Sequence, residues 1–327
     1  MMKFRMKLLK NKVRPFYKIF IFYSYYFKYI IFTTNKNQKK QIIMIFDGKV
    51  KRGGLVDRLK GIISAYDIAT KLNADFKIHF ISPFELDIFL EPNQYNWIAN
   101  VKDLSWNPFQ TKIIEINNDF AINPMELVKK TNKKKIFIFA NVDYLQTLNP
   151  SLNEIAANQL WKKYFDELFI KSPLLSAAIN NLNIKLDSIA VHTRFTNLLG
   201  DFNDSNTKEV SDEQKLTIIS ELKQMISAIN IENKDKSIYV FSDSINFLNE
   251  IKATTNYYVL DGNPVHVDSN KNYLDKNDIH LKTFLDFFAI ANCEKVYFLI
   301  NSTMYNSVFS KYAAIIGEKK YFYRYLT

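Results

Sequence analysis

The chain has 327 residues, a formal charge of +11 and 47% apolar residues, length enough for two domains with a core in each. Its single cysteine, Cys293, excludes an internal disulfide and a cysteine-rich zinc site, and the four histidines, His79, His192, His266 and His280, lie too far apart for paired metal ligation. The basic excess suits nucleic acid, an anionic membrane surface or a phosphorylated substrate without choosing among them, because much of it is lysine in a chain biased throughout toward Asn, Lys, Ile and Tyr.

Residues 1–40 stand apart. Met1 to Arg14 is basic, and Phe16 to Phe32 is almost wholly aromatic and aliphatic, interrupted by Lys18, Ser24 and Lys28. The run falls short of the ~20 apolar residues of a bilayer span and lacks the small-residue cleavage site of a secretory signal. It predicts a helix that lies on an anionic membrane through residues 1–33, a short single-pass anchor, or a disordered leader. On that reading the segment contributes nothing to the core, and a chain starting near Asn37 folds without it.

From Gln41 strands and helices alternate. Ile42 to Phe46 is a continuous apolar run of strand length that leads to the turn Gly53-Gly54. After it, Leu55, Leu59, Ile62, Ile63, Tyr66, Ala69 and Leu72 recur at helical spacing. Strand, glycine turn and helix start together form an anion site, because the first amides of a helix are free and glycine lets a ligand approach the backbone. Neither the P-loop nor the Gly-x-Gly-x-x-Gly pattern is present. Phe76 to Ile81, Lys112 to Ile116 and Ile136 to Ala140 predict further strands. The loops around Trp97 and Trp106 read as core closure, and a mainly helical stretch from Ser151 to Leu182 turns Trp161, Tyr164, Phe165 and Leu168 to one buried face.

A second alternation begins at Ser188. The strand Ser188 to His192 delivers His192 and Arg194 to its carboxyl edge, on the same side of the extended chain, and Arg194 offers a planar fork of donors suited to phosphate. A helix from about Ser211 to Ile229 follows, then the strand Ser237 to Phe241 ending in Ser242-Asp243-Ser244, where Ser244 reads as a helix N-cap. Tyr257 to Leu260 predicts a strand, His280 to Ala291 a helix, and Val296 to Ile300 the last clear strand. Ser302 stands where an N-cap of the next helix would.

Three separated stretches, Arg52-Gly53-Gly54-Leu55-Val56-Asp57-Arg58, Val191-His192-Thr193-Arg194 and Ile300 to Ala314, resemble in composition and order the motifs of the GDP-fucose-dependent fucosyltransferases. That superfamily holds the α1,2- and α1,6-fucosyltransferases and the protein O-fucosyltransferases. The resemblance implies a GT-B-like α/β fold, two Rossmann-like βα domains facing a cleft: residues 41–185 on the acceptor side and residues 186–327 binding the GDP-sugar, after the segment 1–40. It implies metal-independent, inverting transfer of fucose from GDP-fucose to a glycan hydroxyl, with no further cofactor and no nucleic-acid partner. The donor site falls on Gly53, Gly54, Arg58, His192, Arg194, Ser242, Asp243, Ser302, Ser307 and Ser310. Ser302 and Ser307 are rivals, because the family's Ser-x-Phe-Ser-x-x-Ala-Ala matches Ser307 to Ala314, several residues past the strand end. The resemblance implies that Arg194 stabilises the leaving diphosphate and that a carboxylate of the first half is the base, with Asp57 placed at the catalytic position and Glu85, Asp87 and Glu91 also open by position. Another nucleotide sugar as donor, or a membrane-associated nucleotide-binding protein without catalysis, are the alternatives. The expected location is the cytoplasmic face of the cell membrane.

Overall fold

The computed structural model describes residues 20–26, 39–100, 103–116, 120–202, 210–268 and 276–326. The first half contributes strands β1 (Gln41–Phe46), β2 (Asp75–Phe80), β4 (Thr111–Ile116) and β5 (Lys135–Ala140), joined in the parallel order β2-β1-β5-β4. Parallel strands need crossover connections, and the helix α2 (Leu55–Lys71) supplies the one between β1 and β2. The second half repeats the plan with β7 (Ile189–Thr193), β8 (Ile238–Ser242), β9 (Lys295–Ile300) and β10 (Lys320–Tyr325), in the parallel order β10-β9-β7-β8. Its crossovers include α7 (Asp212–Glu232) and α10 (Phe309–Gly317). A short antiparallel pair, β3 (Leu90–Pro92) with β6 (Phe169–Lys171), lies outside both sheets.

Helices cover both faces of the first sheet's centre, so β1 is a continuous apolar run with five of its six residues buried. β1 pairs with β2 on one side and β5 on the other; β7 pairs likewise with β8 and β9. At both strands the direction of winding changes, and the crevice beyond the carboxyl end of such a strand is where open α/β sheets bind ligands. The loop of Gly53 leaves the end of β1, and Arg194 follows the end of β7 directly.

One apolar cluster spans both halves. The helix α9 (Lys276–Asn292) buries Phe284, Phe287 and Phe288 in the same cluster as β1 and α2; of the first half, Phe89 stacks on Phe284 and Phe84 meets it edge-on. Trp161, Tyr164, Phe165 and Leu168, on α5 (Glu154–Leu168), are all buried, and Trp161 packs on Tyr312 of α10. Trp97 and Trp106 are buried too.

Four points refine or change the expectations. The stretch Ser151 to Leu182 is mainly helical as expected, with β6 separating α5 from α6 (Pro173–Asn181), whose N-cap is Ser172. Tyr257 to Leu260 makes only an isolated bridge, Tyr258 opposite Tyr239. β10 is a full strand beyond the last one expected, on a sheet edge where little of it is buried. The fourth concerns the amino terminus. Most of the segment expected at a membrane, its residues 1–19 and 27–33, lies outside the described residues, but residues 20–26 form a helix, α1, that buries Phe22 and Tyr26 against β1 and β5. Tyr26 stacks on Trp106 with ring centroids 3.4 Å apart and hydrogen-bonds Asp47. The segment therefore contributes two aromatic side chains to the core. No helix of the described residues is long and apolar enough to cross a membrane.

Candidate functional site

A cleft of ≈ 600 Å³ runs between the carboxyl ends of β1 and β7. One wall is the glycine loop and the start of α2, with Gly53, Gly54, Asp57 and Lys60. Facing it are Arg194, Phe202, Tyr305 and Ser307, and residues 265–268 close one side. A smaller chamber of ≈ 60 Å³ shares Arg194 with the cleft and is lined by His192, Ser242, Asp243 and Asp286. Among the residues singled out from the sequence, Gly53, Gly54, Asp57, Arg194 and Ser307 line the cleft; His192, Ser242 and Asp243 line the chamber.

The glycines have different duties. Gly53 has φ +74°, and a Cβ on it would meet the Asp57 carboxylate at 2.6 Å, so the turn requires glycine there. Gly54 is extended, with φ −71°, and a Cβ there would meet nothing within 4 Å. It is the N-cap of α2 without a side-chain cap, so the first amides of the helix stay open to an anion. The left-handed backbone angle belongs to Gly53, and the room for a ligand belongs to Gly54.

Arg58 has another role than the donor contact expected of it. It is buried, and its guanidinium donates to the carbonyls of Gly53 (3.2 Å) and Ser82 (2.6 Å) and to Asp268 (2.6 Å). Those three acceptors and the rings of Phe46 and Phe80 surround it, and it does not line the cleft. Asp268 takes a second bond from the Gly53 amide at 2.6 Å. The pair fixes the glycine loop to a segment of the other half; nothing in the polar sequence around Asp268 signals this.

Arg194 is the cation that reaches the cleft from β7. Its side chain is 18% exposed, 3.7 Å from the Asp243 carboxylate, with its guanidinium over Phe202 (5.3 Å) and Tyr305 (5.7 Å). Asp243 accepts the amides of Phe195 and Thr196, both at 2.8 Å. Burial pushes the Asp243 carboxyl up, opposed by Arg194 and those amides. Asp243 thus clamps the turn that aims Arg194. Phe202 and Tyr305 were not anticipated as its platform, although Tyr305 lies inside the third motif.

His192 is a neutral support. Its Nδ1 lies 3.0 Å from the Ser310 hydroxyl, its ring lies against Phe298 and Phe309, and burial first, then the Arg194 charge, push its pKa down to about 3. Ser310 is fully buried by this contact. Because the folded pKa is depressed below the usual histidine value, the unfolded chain takes up the proton first. His192 thus contributes stability above about pH 6.5 that is lost as pH falls toward 3, at about 1.4 kcal/mol per pH unit. Urea unfolding of wild type and His192→Gln at pH 7 and pH 5 checks this. The wild-type advantage is expected to shrink at pH 5, and an unchanged difference would mean that His192 is not held neutral.

Ser302 and Ser307 stand in different surroundings. No helix starts at Ser302, which is exposed in a turn built on Asn301, whose side chain accepts the amides of Thr303 and Met304. α10 starts only at Phe309, and the Ser307 hydroxyl accepts the Phe309 amide at 3.3 Å while lining the cleft. Of the four carboxylates considered as bases, Asp57 alone lines the cleft, held at 2.7 Å by Lys60. Among the described residues no group of three or more His, Cys, Asp or Glu is placed to hold a metal ion.

Neither a protein-family profile nor a curated protein matches the chain. Solved structures do. The fucosyltransferase NodZ from Bradyrhizobium aligns at TM-score 0.52 with 14% identity, over 85% of this chain and 92% of that one. NodZ α-1,6-fucosyltransferase soaked with GDP-fucose aligns at TM-score 0.51, also with 14% identity, over 85% and 93%. A mutant of Arabidopsis thaliana FUT1 in complex with GDP aligns at TM-score 0.59 with 10% identity, over 90% of this chain and 72% of that one. The two parallel βα sheets thus share the fold of these fucosyltransferases.

Proposed function

We propose that the chain transfers fucose from GDP-fucose to a hydroxyl of a glycan acceptor, with inversion and without a metal. The observation that carries this reading is the meeting, across one cleft, of Arg194 at the end of β7 with the open helix start at Gly54. Both are anion sites at topological switch points. Lys51 adds positive charge to the same cleft, while Lys60 there is paired with Asp57. The neighbours crystallised with GDP or GDP-fucose share this fold.

In the reaction, the acceptor oxygen forms a bond to the anomeric carbon from the face opposite the diphosphate. The bond from that carbon to the phosphate oxygen breaks, GDP leaves with the electron pair, and the acceptor proton passes to Asp57. Negative charge grows on the diphosphate as the bond breaks, so cations fixed in advance stabilise the transition state more than the bound donor. Ser307 adds a hydroxyl on the Arg194 side, and Asp57 on α2 faces the cleft from the other. The acceptor therefore enters along the α2 wall.

A donor screen tests the reading. Thermal shift and product formation with GDP-fucose, GDP-mannose and UDP-sugars are expected to single out GDP-fucose. Gly54→Val is expected to melt like wild type without ligand, since its side chain enters open space, yet to lose most of the shift given by GDP. A preference for another sugar nucleotide would reassign the donor, and an unchanged GDP shift in Gly54→Val would return the loop to a plain turn.

A further inference from the structure

A second depression, ≈ 750 Å³ in volume, lies between β4, the start of β5 and the helix α3 (Pro124–Lys129). It sits at the amino-terminal ends of these parallel strands, while the cleft lies at the carboxyl end of β1, so an occupant here leaves the cleft open. Five lysines line it, Lys112, Lys130, Lys133, Lys134 and Lys135, and no acidic side chain does. Lys133 and Lys135 donate to the carbonyls of Phe109 and Asp103. The other three are exposed and form no ion pair among the described residues. The floor is apolar, with Ile113, Ile114 and Leu127, and the rim carries Phe109, 81% exposed.

We propose that this groove docks the protein on a bilayer of anionic phospholipid, with the exposed lysines on headgroup phosphates and Phe109 inserted at the headgroup boundary. Two observations favour lipid. A hydrophilic polyanion would satisfy the lysines but leave the apolar floor and Phe109 in water, whereas a lipid brings phosphate and hydrocarbon together. The basic, aromatic amino-terminal sequence also joins the fold here: the Gln41 amide bonds the Lys134 carbonyl at 2.8 Å, and the Lys40 ammonium bonds the carbonyls of Val128 and Thr131. The described end of that sequence, Lys39 and Lys40, thus lies at the same end of the first sheet as the groove.

Sedimentation of the full chain with phosphatidylcholine vesicles, with and without phosphatidylglycerol, tests the proposal. Wild type is expected to bind only the anionic vesicles. The triple variant Lys112→Ala, Lys130→Ala, Lys134→Ala is expected to bind roughly a hundredfold more weakly, since each lysine near an anionic surface contributes a several-fold factor. Phe109→Ser is expected to weaken binding several-fold, and the triple variant to keep the wild-type melting temperature and GDP shift. Wild-type vesicle binding by the triple variant, equal binding to neutral vesicles, or capture by a soluble acidic polysaccharide in place of vesicles would each overturn the proposal.

Discussion

Arg194→Ala is expected to fold and to turn over GDP-fucose about a hundredfold or more slower than wild type, the effect of removing roughly 3 kcal/mol of charge-assisted stabilisation from a sheltered site. Arg194→Lys is not expected to recover it. The guanidinium is a planar group held between Phe202 and Tyr305, with Asp243 at its edge. A lysine ammonium is a point charge on a flexible stem that neither stacks in that slot nor gives two parallel bonds to a diphosphate. The deficit is expected in kcat as well as in donor affinity, because the contact strengthens as the leaving group gains charge. Asp243 loses its ion-pair partner in Arg194→Ala, but the amides of Phe195 and Thr196 still bind its carboxylate in both variants, so circular dichroism should report a native fold. Steady-state transfer assays on folded protein decide the matter. Near-normal turnover by Arg194→Ala would detach the chain from diphosphate chemistry at this position.

The strands and the two switch points were legible because burial on both faces writes itself as apolar runs, Ile42 to Phe46 and Val296 to Ile300, that stop at polar turns. β10 was not, because an edge strand that buries little need not be an apolar run, and Lys320 to Tyr325 mixes charged with aromatic residues. Within the site, Gly53, Gly54, Asp57, Arg194 and Ser307 were legible as motif residues, and they line one cleft. What the motifs do not encode is direction. Arg58 sits four residues after Gly54, one helical turn on, and a helical side chain leans back toward the amino terminus. Its guanidinium therefore returns under the loop to the Gly53 carbonyl and does not extend into the cleft. Asp268, Phe202 and Tyr305 were invisible for a different reason. Each lies in irregular chain, without periodicity: Asp268 and Tyr305 acquire their meaning from partners more than a hundred residues away, and Phe202 from Arg194 across the turns of its own loop.

The largest stability effect is expected at that long-range pair. Arg58 and Asp268 are both largely buried, with side chains 5% and 13% exposed. Burial works against the Arg58 charge, and the Asp268 carboxylate is the main group restoring it. Removing one partner of such a pair strands the other, which costs about 3–5 kcal/mol, far above the 0–1 kcal/mol typical of surface pairs. Asp268→Ala is therefore expected to be the worse single change, since it leaves a guanidinium enclosed by Phe46 and Phe80 and also frees the Gly53 amide. Arg58→Met should cost less, because a thioether suits the two rings and Asp268 keeps its bond from Gly53. The double variant is expected to be more stable than the sum of the two losses predicts, by a coupling of about 1–3 kcal/mol. Urea unfolding of the four proteins of this cycle measures that coupling directly. It also separates structure from chemistry, because any loss of GDP binding in Arg58→Met would have to act through the glycine loop, Arg58 itself lying outside the cleft. Additive single effects, each below about 1 kcal/mol, would mean that the link between the two halves is an ordinary surface contact.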